Sequence, residues 1–304
     1  MSPRSTTRQP RTRAAAALLA ALALTATACT SADSGADGTV DVVASFYPLQ
    51  YVTQQVGGEH VTVASLVPAG GDPHDIELSP AKVREIGAAD LVVYLSGLQP
   101  AADEAVATRD GDRVVDAAVG AGLTDGDAGS RDPHFWLDPT LLAAVGTQVA
   151  DALAAADPEH ADDYAARAER LADELGALDA ELAEGLAACA GATLVTSHEA
   201  FGYLADRYGL EQVGITGIDP EVEPSPARLR DVREVVASAG VRTLFLERAA
   251  VSELVTVLAD ELGVAAAVLD PLETRPAEES GTAPDYPAVM RTNLAALQSG
   301  LTCT

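Results

Sequence analysis

The sequence predicts an α/β protein of two lobes, each built on a parallel sheet, with one long helix joining them. Three observations predict it. Short apolar runs rich in β-branched residues alternate with amphipathic stretches along most of the chain, the order that builds parallel sheets. At 304 residues the chain is too long for a minimal module and suits two domains of about 100–150 residues each. From Pro139 to about Ala188 the composition turns to Ala, Leu, Glu, Asp and Arg with little Gly, as a long helix requires.

The elements follow in order. Arg4, Arg8, Arg11 and Arg13 precede an apolar run of about 15 residues that ends in small residues, so residues 1–28 read as a secretory signal. The run is shorter than the roughly 20 residues of a membrane-spanning helix. Ala26-Thr27-Ala28-Cys29 resembles a bacterial lipobox, which implies that Cys29 is lipidated and becomes the mature N-terminus; Ala26 departs from the usual aliphatic residue. Residues 29–39 are small, polar and acidic, a flexible tether. The N-terminal lobe is expected over 40–138, with strands in VDVVASFYPL (Val40–Leu49), VTVASLVP and DLVVYL, and a helix in LSPAKVREIGAA. A helical segment follows over 139–188. Asp157-Pro158 breaks it, and a linking helix of about 30 residues runs from there to Ala188. The C-terminal lobe, 189–304, resumes alternation with strands ATLVTS, TLFLE and AAAVLD, and helices in FGYLADRYG, RLRDVREVVASAG, SELVTVLADELG and YPAVMRTNLAALQSGL.

Composition excludes several functions. A net charge of −27 argues against binding nucleic acid, which needs clustered Lys and Arg, and against adsorption onto anionic lipid by basic patches. With 48% hydrophobic residues, wholesale disorder is excluded. Of three cysteines, Cys29 is assigned to the lipid, which leaves Cys189 and Cys303. Neither has a second Cys or His at metal-ligand spacing, so they read as a structural disulfide in an oxidising compartment.

The chemistry lies in the histidines. Five occur, and three have unusual settings: His74 in GGDPHDIELSP, His134 in RDPHFWLDP and His198 in LVTSHEAFGYLA. A lone histidine is more often a hydrogen-bonded loop or core residue. Here His198 directly ends a strand, His74 lies shortly beyond one, and His134 sits in a proline-flanked loop. Ligands in open α/β sheets bind at the carboxyl ends of strands, so these segments aim at one mouth. Asp270 ends the strand AAAVLD and supplies a fourth donor, with Glu247 at the end of TLFLE, or a water, as alternatives. His60 and His160 read as surface residues. Three imidazoles and a carboxylate make a tetrahedral or five-coordinate shell, and its nitrogen-rich chemistry favours Zn over Mn, Mg or Ca. A fourth protein ligand closes the shell, so the site holds metal rather than using it. HExxH, GxSxG, Walker and GxGxxG motifs are absent from the sequence, and a binding protein is expected rather than an enzyme.

GGDPHDIELSP, DPHFWLDP and SHEAFGYLADRYGL, with SFYPL, the EPSP loop and LDPL, resemble the signature stretches of the cluster 9 zinc/manganese ABC-transporter solute-binding proteins. The resemblance covers roughly Val40 to Leu301. It implies two Rossmann-like lobes bridged by a single long helix, with metal held between them by His74, His134, His198 and Asp270. His198 at the third position implies the zinc-type branch, since a Glu there accompanies manganese. It further implies a monomer anchored on the outer face of the cytoplasmic membrane, delivering Zn2+ to an ABC-type permease driven by a separate ATPase. Many zinc-type members carry a His-rich loop before the second ligand, but LTDGDAGSRDPH is acidic and has none. Metal affinity is expected to fall as pH drops through roughly 6, because imidazole must be neutral to bind. A single rigid linking helix implies a small closure. Alternatives left open are Mn2+ or Fe2+ as cargo, a metal-binding adhesin or sensor lipoprotein, and a secreted zinc hydrolase with Glu199 as its base.

Overall fold

A computed structural model describes residues 38–109, 113–123, 131–247, 253–274, 284–301 and 303. The expected signal segment, Cys29 with most of the tether, and the acidic stretch 124–130 before His134 lie outside these residues.

The N-terminal lobe runs β1 (Val40–Ala44), α1 (Tyr47–Gly57), β2 (Val61–Ser65), α2 (Pro80–Ala88), β3 (Leu91–Tyr94), α3 (Pro100–Ala107), β4 (Val114–Asp116) and α4 (Ala117–Gly120). Two helices follow, α5 (Pro139–Ala156) and α6 (Ala161–Leu186). The C-terminal lobe has β5 (Thr193–Thr196), α7 (Gly202–Tyr208), β6 (Glu211–Gly214), α8 (Pro226–Ser238), β7 (Thr243–Leu246), α9 (Glu253–Leu262), β8 (Ala265–Val268) and α10 (Tyr286–Gly300). Both sheets are wholly parallel and share one plan, β2-β1-β3-β4 and β6-β5-β7-β8. The two-lobe α/β architecture is the one the alternating pattern predicts.

Local chemistry sets the helix starts. Ser79, Asp138, Ser225 and Asp285 each accept a backbone N–H from the first turn of α2, α5, α8 and α10, and each of those helices has a proline in that turn. The apolar run Val40–Leu49 is not one strand. β1 stops at Ala44 and α1 begins at Tyr47, because Pro48 has no N–H to give a ladder and is pre-set for a first helical turn.

The linking helix α6 is 26 residues long, shorter than expected, because tight 3-10 turns at Pro158–His160 and Ala187–Cys189 take up its ends. It spans about 39 Å at 1.5 Å per residue. Tyr164, Ala168, Leu171, Leu175, Leu178, Leu182 and Leu186 form its buried stripe. α6 packs on α5 and α1 on one side and on α10 and α7 on the other, so one apolar core runs through both lobes. Asp179 of α6 also receives Arg207 through two bonds of 2.7 Å. Cys189, just past α6, is joined to Cys303, which closes the chain's end onto the start of the C-terminal lobe.

His60 and His160 are not independent surface groups. Their rings stack at 3.9 Å, His60 meets Asp163 at 3.2 Å and His160 meets Asp157 at 2.6 Å. The stack fastens the turn after α1 to the entry of α6.

Candidate metal centre

Four donors from four segments meet between the lobes: His74, His134, His198 and Glu273, whose ligand atoms all lie within 4.8 Å of one another. The three imidazoles are those singled out in the sequence. The carboxylate is Glu273, not Asp270.

His74 lies in the long connection between β2 and α2, where its backbone N–H donates to Asp72 at 2.7 Å and tightens the loop. His134 stands just before α5. Its N–H and its Nδ1 both meet the Asp132 carboxylate, at 2.9 and 2.7 Å, which fixes the ring and leaves Nε2 facing the site. His198 follows the end of β5, and its Nδ1 is bonded to the Glu247 carboxylate at the end of β7. Ser197 Oγ donates to the same carboxylate. In both cases a carboxylate on the outer nitrogen selects the tautomer whose Nε2 can bind an ion. Glu247 therefore supports His198 from behind instead of joining the donors.

Glu273 Oε1 sits 3.4, 3.0 and 3.2 Å from the Nε2 atoms of His74, His134 and His198. A backbone device delivers it. Asp270, two residues beyond the end of β8, accepts the Leu272 N–H at 2.8 Å, while its own N–H and C=O pair with the Asn293 side chain at 2.9 and 2.7 Å. Leu272 adopts φ +59°, a left-handed conformation uncommon for a bulky residue. That turn swings the next side chain, Glu273, into the cleft. Asp270 thus holds the turn, and the carboxylate three residues later carries the charge. A strand-end rule finds the first and misses the second.

The site is buried: His134 and His198 are fully enclosed and Glu273 is 6% exposed. Burial alone lowers an imidazole pKa, but at His198 the hydrogen bonds and charges of Glu247 and Glu273 outweigh it and push the pKa up to about 10. His134 is likewise depressed by burial and raised on balance, by Asp132 and Glu273. Burial opposes ionisation of Glu273, yet hydrogen bonds from His134, His198 and His74 hold it well below the usual carboxylate range. His134 and His198 thus clasp the Glu273 carboxylate, and each group favours the charged form of the other.

Glu199, the candidate hydrolytic base, is turned to solvent and accepts Arg228 at 2.8 Å. It takes no part in the cluster.

Known proteins of this shape are similar in sequence as well. The chain is 33% identical over 289 residues to the zinc-binding protein AdcA of Streptococcus pyogenes serotype M6, a match covering 86% of this chain and 56% of that protein. The chain thus spans little more than half of that relative's length. It is 32% identical over 290 residues to the high-affinity zinc uptake system protein ZnuA of Bacillus subtilis, covering 89% and 90% of the two. Among solved structures, the Zn(II)-bound ZnuA-like domain of Streptococcus pneumoniae AdcA matches with a TM-score of 0.75 and 34% identity, covering 87% of this chain and 99% of that one. The family described as zinc-uptake complex component A, periplasmic, matches residues 42–300. With its two-sheet fold and its interlobe histidine cluster, the chain belongs to the ZnuA family.

Proposed function

We propose that this protein is an extracytoplasmic solute-binding protein that captures Zn2+ as cargo between its lobes and hands it to an ABC importer. The observation that carries this reading is the donor set: three imidazole nitrogens and one carboxylate converging from both lobes, with outer carboxylates on two of the imidazoles. Imidazole-rich tetrahedral shells suit Zn2+, whereas Mn2+ prefers more oxygen. The zinc-binding names of the relatives, and the Zn(II)-bound structure among them, support the same cargo. Four protein donors complete a tetrahedral shell and leave no position for a reactive water, so the protein binds and does not catalyse.

In this reading His74, His134, His198 and Glu273 are the ligands, and Glu273 replaces Asp270 in the expected set. Zn2+ must displace a proton from His198 to enter, and that proton is released to solvent. Residues 1–28 direct export, Cys29 carries the lipid that holds the protein at the outer face of the membrane, and a permease with a separate ATPase receives the ion.

Competitive titration of the apo protein with Zn2+ and Mn2+, repeated on His198→Ala, tests the proposal. Zn2+ is expected to outcompete Mn2+ and to lose affinity in the variant. Equal or tighter Mn2+ binding would make manganese the cargo, and absence of binding would overturn the site assignment.

A further inference from the structure

The liganding loops of the two lobes are tied together by Trp136. It lies two residues after His134 in the turn that enters α5, and it is fully buried against Phe46, with ring centroids 4.8 Å apart. Its indole Nε1–H crosses to the C-terminal lobe and donates to the Pro271 carbonyl at 2.7 Å. Its own carbonyl accepts the hydroxyl of Tyr286, the first residue of α10, at 2.5 Å. Pro271 immediately precedes Leu272, whose left-handed backbone presents Glu273. The ties from Asp270 and Asn293 to this turn lie within the C-terminal lobe; the indole bond comes from the N-terminal lobe, from the segment that also carries His134.

We infer that Trp136 is a positioning residue for metal capture: its N–H holds the Pro271–Leu272 turn so that Glu273 is set in register with His134. The inference rests on the ligand set proposed above. A buried carbonyl deprived of its donor seeks another partner, and here the way to find one is to relax the Leu272 turn, which withdraws the carboxylate from the imidazoles. Trp136 therefore acts on the ion through Glu273, and its contribution to affinity vanishes when Glu273 can no longer supply charge.

A double-mutant cycle tests this, with Zn2+ affinity read by competition against a chromophoric chelator and with apo melting recorded for every variant. Trp136→Phe keeps an aromatic ring and removes the donor. It is expected to weaken Zn2+ binding by about 10–100-fold, as loss of an outer-shell partner does, but by less than about threefold in a Glu273→Gln background. Equal losses in both backgrounds would overturn the inference, because a general packing defect does not depend on Glu273. No loss in the wild-type background, with Glu273→Gln itself weakening binding, would also overturn it and leave the ligand set standing. If neither Glu273→Gln nor His198→Ala weakens binding, the ligand set fails and the positioning role with it. Should Trp136→Phe misfold, 3-benzothienylalanine at position 136 keeps the bicyclic shape without the N–H, and the same cycle applies. Co2+ in place of Zn2+ adds a spectroscopic signature: Trp136→Phe should shift the d–d bands toward those of Glu273→Gln, and an unchanged spectrum would count against the inference.

Discussion

The two lobes are the same sheet used in two ways. Ala44 pairs with Val93 in the first and Thr196 with Phe245 in the second, and the next N–H, of Ser45 or Ser197, donates to Val93 or Phe245 at 2.9 or 2.8 Å. This register aligns Phe46 with His198 and Leu95 with Glu247. At one backbone position, where open α/β sheets form their crevice, the N-terminal lobe places a core anchor and the C-terminal lobe a candidate ligand with its supporting carboxylate. The N-terminal lobe contributes its own histidines from longer loops that reach across. The difference teaches that the crevice geometry is common to both lobes, while the side chains decide whether it becomes core or site.

The largest effect that would break this comparison is on folding. Phe46→Ala should destabilise the apo protein by about 3–5 kcal/mol, as deletion of a fully buried aromatic does; urea unfolding of the metal-free protein checks it. Next comes the covalent tie peculiar to the C-terminal lobe. Cys303→Ser removes a link closing a separation of 114 residues and should lower stability by about 2–4 kcal/mol, read from the same unfolding curves against wild type.

His198→Ala, at the position matching Phe46, should instead act on the ion and weaken Zn2+ binding more than about 100-fold, beyond what an outer-shell change produces. Glu247→Gln, matching Leu95, should cost about 10–100-fold. Calorimetric titration distinguishes them, and a Glu247→Gln loss as large as that of His198→Ala would make Glu247 a ligand in its own right.

The smallest effect is the pH slope. His198 is held at about 10 by Glu247 and Glu273, so metal must expel a proton at neutral pH and affinity should keep rising, about tenfold per unit, until roughly pH 10. The sequence placed this dependence near 6, where an unperturbed imidazole titrates. Stability of the apo protein runs the other way. The raised His198 pKa adds stability that is complete below 6.5 and lost as pH climbs toward 10, while the depressed Glu273 pKa adds stability present above 4.5 and lost at lower pH. Apo melting should therefore peak between about 4.5 and 6.5, where zinc binding is weak. A peak at alkaline pH would contradict the imidazolium–carboxylate clasp.

Most of this site is legible in the sequence. His74, His134 and His198 stand out because their settings are local: a proline-locked loop, a strand end, a short distance past a strand. The α/β plan and the linking helix show in periodicity over long windows, which short-range sterics control. Glu273 was not legible. It sits five residues past β8 in an undistinguished LET sequence, and only the Asp270–Leu272 turn makes it a neighbour of the imidazoles. The same holds for the His60–His160 stack and for Trp136, whose partners are far off in the chain.

By itself, then, the sequence determined the alternation of strands and helices, the three imidazoles, and the strongly acidic net charge, because each is a property of residue type and near-neighbour spacing. The tertiary structure decided which carboxylate faces the imidazoles, which carboxylates stand behind them, and how the two lobes are held in register. Those are matters of distance between segments far apart in the chain, and a charge buried at 3 Å from an imidazole acquires its chemistry from that distance and from the exclusion of water around it.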